Sequence, residues 1–264
     1  MGPVGDAMDT YFDLGGYSFP VTTQSTEAQT WFDRGILWTY GYNHEEAVKC
    51  FERAIDADPK CAMAHWGAGY ASGPNYNMPW DLFDYAGRAA AAWAGYAHAR
   101  KALDLIDGVT GWEAALIHAL PARHPQPDPL DPEAMKAWNT DFADAMRDVF
   151  ASHSESHEVR TVFAESLLNL TPWKMWDLAS GQPAAGARTV EAQTVLEEAL
   201  EGDPSAMHHP GLLHLYVHLM EMSPFPEKAL KAGDALRRLV PDAGHLIHMP
   251  THIDILCGHY QNVV

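Results

Sequence analysis

Basic residues are scarce in this 264-residue chain: 17 Lys and Arg stand against 35 Asp and Glu, a formal net charge of -18. A protein grips phosphate with clustered Lys and Arg, so the balance argues against nucleic acid or an anionic membrane as partner and leaves small or cationic molecules and peptides. Cysteine is as sparse. Cys50, Cys61 and Cys257 are odd in number and show no CxxC spacing, which argues against a disulfide framework and fits a reducing, cytoplasmic compartment. No run of about 18 apolar residues occurs, so no membrane span is expected. The opening MGPVGDAM lacks a basic stretch and an apolar core, and Asp6 stands where a myristoylation signal prefers Ser or Thr; neither export nor a lipid anchor is supported. No segment alternates strictly enough to claim a strand.

What is present argues for helices. Alanine-rich runs recur, nine tryptophans are available as large packing groups, and β-branched clusters are few, so the expected class is all-α. Residues 1–26 are Gly-rich and polar and read as an irregular arm, with a helical repeat domain over 27–264. From Ala28 the chain reads AQTWFDRGILWTYGYNHEEAVKCFERAIDADP, which places Trp31, Gly35, Trp38, Ala47, Phe51, Ala54 and Pro59 at the offsets of a 34-residue tetratricopeptide unit. Small residues let two antiparallel helices approach, large ones fill the gap, and the proline stops the second helix. Arg34 departs from that pattern by replacing an apolar residue. A second unit starts at Ala62 and breaks at Gly73-Pro74. The composition further predicts a long helix over 80–107, a capping box of Thr110 and Glu113, and helices over 132–151, 155–170, 188–201, 210–222, 226–240 and 244–257. The last repeat is incomplete at Val264, which predicts a cut chain or a homodimer covering that end.

Eight of the fifteen histidines lie between residues 208 and 259. At about 100° per residue, His214, His218 and Glu221 fall within roughly a 60° arc of one helix, and His245, His248 and His252 repeat the device on another. Neighbouring helices pack roughly 8–10 Å apart, close enough for imidazoles from two of them to share an ion. The expected metal set is therefore His214, His218, His248 and His252, with Glu221 as a carboxylate ligand or general base and His245 as an outer contributor. Imidazole with carboxylate suits Cu, Zn or Fe, and the lack of thiolates argues against a closed structural zinc site. Glu165, amid apolar neighbours in VFAESLLNL, needs a partner and is a second candidate for proton transfer. Asn169 shares its face, and Asn75, Tyr76 and Asn77 join the site if their loop folds over the groove. His208 and His209 precede a helix-starting proline. Taken singly, His65, His98 and His118 read as core residues, and Met220, Met222 and Met249 as packing residues.

The run WFDRGILWTYGYNHEEAVKCFERAIDADPKCAMAHWGAGYASGPNYN, together with HPGLLHLYVHLMEMSPFPEKALKAGDALRRLVPDAGHLIHMPTHIDILCGHY, resembles a family of tetratricopeptide-repeat proteins of bacteria and fungi similar to the animal tetratricopeptide repeat protein 38 group. The resemblance covers most of the chain from about residue 27. It implies an α-solenoid of helix pairs around a concave groove, and it carries over no catalytic residue. Members of that family are generally longer, so the resemblance also implies that Val264 is a cut. The functional expectation is a metal-dependent enzyme acting on a small molecule in the groove. The alternative is a non-catalytic scaffold that binds a peptide or protein, with the histidines as a polar seam or structural metal site.

Overall fold

Regular structure begins where Ser25 accepts a hydrogen bond from the Ala28 N–H at 3.1 Å and so caps α1 (Thr26–Tyr40). Asn43 caps α2 (His44–Ala57) in the same way, and the two helices pack against each other as an antiparallel pair. Phe51 fills the space between α1 and α3 (Ala62–Ala71). Cβ atoms at Gly35 and Gly67 would stand 2.7 and 2.4 Å from its ring, so both positions need glycine. The computed structural model describes residues 11–263; the start of the arm, where an export or lipid signal was sought, and Val264 lie outside the described residues.

Among the described residues are eleven α-helices, and the fold is all-α. After α3 come α4 (Tyr85–Asp104), α5 (Gly111–Arg123), α6 (Pro132–Ser152), α7 (His157–Leu168), α8 (Thr189–Gly202), α9 (Pro210–Met220), α10 (Leu230–Leu236) and α11 (Gly244–Leu256). The long helix expected over 80–107 is split, because the Asp84 carboxylate caps α4 and a short 3-10 turn, Trp80–Leu82, precedes it. The helix expected over 226–240 likewise opens as a 3-10 turn before α10. One two-residue antiparallel hairpin, β1 (Trp176–Asp177) with β2 (Gln182–Pro183), lies in the connection after α7, where no strand was expected. Trp176 anchors it by donating from Nε1 to the Leu219 carbonyl at 2.7 Å, an otherwise orphaned acceptor in the last turn of α9.

Described arm residues 11–25 have no helix, yet Leu14 and Phe19 are buried in the core. Thr22 binds the Glu113 carboxylate through both its N–H and its hydroxyl, and the same carboxylate accepts the Thr110 N–H at 2.8 Å. One fully buried Glu113 thereby completes the helix cap of α5 and ties down the arm.

The centre of the molecule is α9. Apart from His214 and His218 its sequence PGLLHLYVHLM is apolar all round, and every one of its residues is buried, as a helix without a charged face requires. It packs against α1, α7, α8, α10 and α11. His209 starts it, accepting the Leu212 N–H at Nδ1 over 3.2 Å, and Pro210 occupies the first turn, where its missing N–H costs nothing. His214 and His218 are thus carried into the interior by a helix that has no solvent face to offer them.

Candidate metal centre

His214 and His218 are each 1% exposed, and their rings lie 4.6 Å apart between centroids. His245 comes from the first turn of α11, with its ring 4.9 Å from His214 and 5.6 Å from His218. Each of the three presents a ring nitrogen to the same space, and those atoms lie within 4.8 Å of one another. No other group of three or more His, Cys, Asp or Glu among the described residues meets that spacing.

The proton positions follow from the partners. His214 faces the Tyr40 carbonyl with one nitrogen, which must carry hydrogen, and its buried Nε2 has no hydrogen-bond partner among the described residues. His218 donates from Nδ1 to Glu221 Oε1 at 2.8 Å, and its Nε2 is likewise buried without a partner. Both Nε2 atoms are therefore lone-pair donors aimed into the cluster. A carboxylate holding the far nitrogen of an imidazole fixes the tautomer that ligates a metal and raises its basicity. Burial is the main force on all three rings and keeps them neutral. It drives His214 well below the ordinary histidine value, reinforced by His218 and His245, and it lowers His218 against the opposing pull of Glu221. His245 falls to about 4 through burial and then through His218, His248 and His252.

Glu221 stands at the end of α9 with a side chain 6% exposed, and both its oxygens are engaged. Oε1 takes His218 and Oε2 takes His252 Nδ1 at 2.5 Å. Burial raises its pKa, but the two imidazole contacts outweigh burial and hold the carboxyl at about 2. His252 in turn meets His248, Nε2 to Nε2, at 2.8 Å. The six residues picked from the two helical stripes thus fall into an inner trio, His214, His218 and His245, and an outer pair, His248 and His252, with Glu221 between them. His245, expected as an outer contributor, is in the trio; His248 and His252, expected as central ligands, lie beyond the carboxylate.

Glu221→Gln tests that arrangement. A carboxamide accepts with its oxygen but donates with its nitrogen, so it serves only one of the two imidazole N–H groups. The other ring must move its proton to Nε2 and lose the lone pair there. The expected result is a roughly 10- to 100-fold loss of transition-metal affinity at the affected ring, read by competition with a chromogenic chelator; unchanged affinity would remove Glu221 from the site.

Two aromatic residues missing from the sequence expectation complete the wall. Tyr42 (φ 56°) and Trp173 (φ 62°) are the described non-glycine residues with left-handed backbone, a conformation that costs on the order of 1–3 kcal/mol. Both abut His218: the Tyr42 ring stacks 5.5 Å away and Trp173 stands edge-on at 6.1 Å. Tyr42 also lies 4.6 Å from His214. No composition or spacing signal marks these positions, because the strain arises only where the α1–α2 turn and the connection after α7 are pressed onto α9. Tyr76 lies 4.9 Å from His218, and Asn77 Nδ2 is 3.4 Å from His245 Nε2, so the α3–α4 loop does cover the cluster. Asn75 instead holds that loop in shape, accepting the Asn77 and Met78 N–H groups at 2.9 Å. A cleft of about 360 Å³ lined by Trp38, Tyr42, Asn43, Asn77 and His245 opens onto this side.

Glu165 on α7 is 4% exposed. Its Oε2 accepts from the Tyr70 hydroxyl, and Oε1 lacks a hydrogen bond of good geometry among the described residues. Burial raises its pKa, and Arg123, Tyr70 and Asn169 only partly oppose this. Burial, and after it the carboxylates of Glu165 and Glu221, hold the Tyr42 phenol well above its ordinary value and so protonated. Arg123, also unforeseen, is 1% exposed and lies over Tyr70 with its guanidinium 4.6 Å from the ring. His209 is buried against Tyr17 and Tyr40 and serves as the α9 cap, whereas His208 is exposed. His65 pairs with His98, Nδ1 to Nδ1 at 3.2 Å, away from this centre.

Fold and site together define an all-α chain with a cluster of three histidines, two of them buried. No protein-family model, curated protein or solved structure matches it. No described helix is long and apolar enough to cross a membrane.

Proposed function

We propose that the chain binds one transition-metal ion through His214, His218 and His245 and uses it on a small molecule admitted at the Tyr42–His245 cleft. The observation that carries this is the convergence of three imidazoles on one space, two of them with buried Nε2 lone pairs that have no hydrogen-bond partner among the described residues. Tetrahedral ligands about 2.05 Å from an ion stand roughly 3.3 Å apart, so rotation of the partly exposed His245 closes most of the remaining distance. Three protein nitrogens leave a fourth position open, the arrangement of catalytic rather than structural zinc sites, and imidazole ligands suit Zn, Cu or Fe. When bound, such an ion polarises a substrate oxygen or lowers the pKa of a coordinated water. Glu221 orients His218. Glu165, raised above the ordinary carboxylate range by burial, is the acid–base group we assign to the interior.

The helix pairs and the small residues clasping Phe51 support a tetratricopeptide-like solenoid as the scaffold, and the free cysteines support a cytoplasmic setting. The test is metal content by mass spectrometry on untagged protein reconstituted separately with Zn2+, Cu2+ and Fe2+. Near-stoichiometric retention of one of them after gel filtration is expected. Failure to retain any would leave the histidines as a buried polar seam and the chain as a non-catalytic scaffold.

A further inference from the structure

The outer histidines have geometry of their own. His248 and His252 are four residues apart on α11, the spacing at which two imidazoles on a helix face chelate one ion. Their Nε2 atoms already point at each other across 2.8 Å. His252 is held from behind, with Nδ1 on the buried Glu221 carboxylate, so its tautomer presents Nε2 outward as a ligand. His248 is exposed, with its Nε2 resting on that of His252. Opening the pair from 2.8 Å to the roughly 3.3 Å of tetrahedral ligands requires only a small rotation of that ring.

We infer that His248 and His252 form a second metal site, separate from the inner trio, that takes a divalent ion of the Zn2+, Cu2+ or Ni2+ class with its remaining positions open to solvent. Glu221 serves both sites at once: one oxygen orients His218 for the inner ion, the other orients His252 for the outer one. With two protein ligands the outer site binds more weakly than the inner. The inference does not require the inner trio to be loaded, because its ligands and its orienting oxygen are its own.

Zn2+ titration of the full chain, followed by calorimetry and by metal analysis after gel filtration, tests it on wild type, His248→Ala and His214→Ala/His218→Ala. Wild type is expected to take two Zn2+ per chain. His248→Ala should lose the weaker ion and keep the tighter; its exposed position leaves the fold intact. The double variant should show the reverse. An unchanged titration of His248→Ala overturns the outer site. So does a wild type that takes one ion which both variants release, since all the histidines would then serve a single centre. If His248→Ala loses an ion and the double variant loses none, the outer site stands and the inner reading fails.

Discussion

Replacing His214 and His218 together with alanine is expected to lower the affinity of the inner site by on the order of a thousandfold or more, abolishing stoichiometric retention of its ion. Loss of an outer-shell partner alone typically costs 10- to 100-fold. Here two of the three proposed ligands disappear, and with them the two Nε2 atoms that are buried without a hydrogen-bond partner among the described residues. The remaining His245 is partly exposed and cannot hold an ion alone. Both side chains are large and lie in a fully buried helix, so the substitutions also open a cavity, and His214→Gln/His218→Gln separates packing from ligation. Circular dichroism and chelator competition on both variants make the comparison. Retained stoichiometric binding in the folded glutamine variant would exclude the trio as ligands.

Acidification is expected to unfold this protein well above the pH at which carboxylates titrate. His44, His124 and His209 are held neutral chiefly by burial, at about 4, 3 and 3, with the Arg123 charge adding to the effect on His44 and His124 and that of His157 on His209. A depressed histidine pKa means that the unfolded chain binds protons the folded one refuses. Stability is therefore complete above the ordinary histidine value near 6.5 and falls as the pH drops from there toward 3–4. Three such groups each contribute about 1.4 kcal/mol per pH unit, so the free energy of unfolding should fall by on the order of 4 kcal/mol between pH 6 and pH 5. Glu165, whose carboxyl is raised, pulls weakly the other way as it gains a proton at higher pH than in the unfolded chain. Urea titrations at pH 7, 6 and 5 measure the slope; a flat profile over that range would show that these rings take up protons in the folded state as readily as in the unfolded chain.

Much of the architecture was legible because it is local. Capping residues, prolines and helical periodicity placed most helices within a few residues of their ends, and Gly35 announced the close helix contact that Phe51 fills. Legibility failed where one residue's chemistry overrode the pattern, as at Asp84, which starts a new helix inside an alanine-rich run, and at Trp176, whose hydrogen bond to Leu219 anchors a hairpin that composition alone does not mark.

For the site, the sequence by itself determined that the chain is helical, that imidazoles line one face of α9 and one of α11, and that Glu221 shares the face of His218. These are consequences of 3.6-residue periodicity, which acts over one or two turns. Only the tertiary structure decided which of those histidines meet. It brings the first turn of α11, with His245, against His214 and His218, and leaves His248 and His252 on the far side of Glu221. It also presses Tyr42 and Trp173, in left-handed backbone, onto His218. Helix crossing and loop placement follow from side chains packed together across the whole length of the chain, and no spacing within a single helix encodes them.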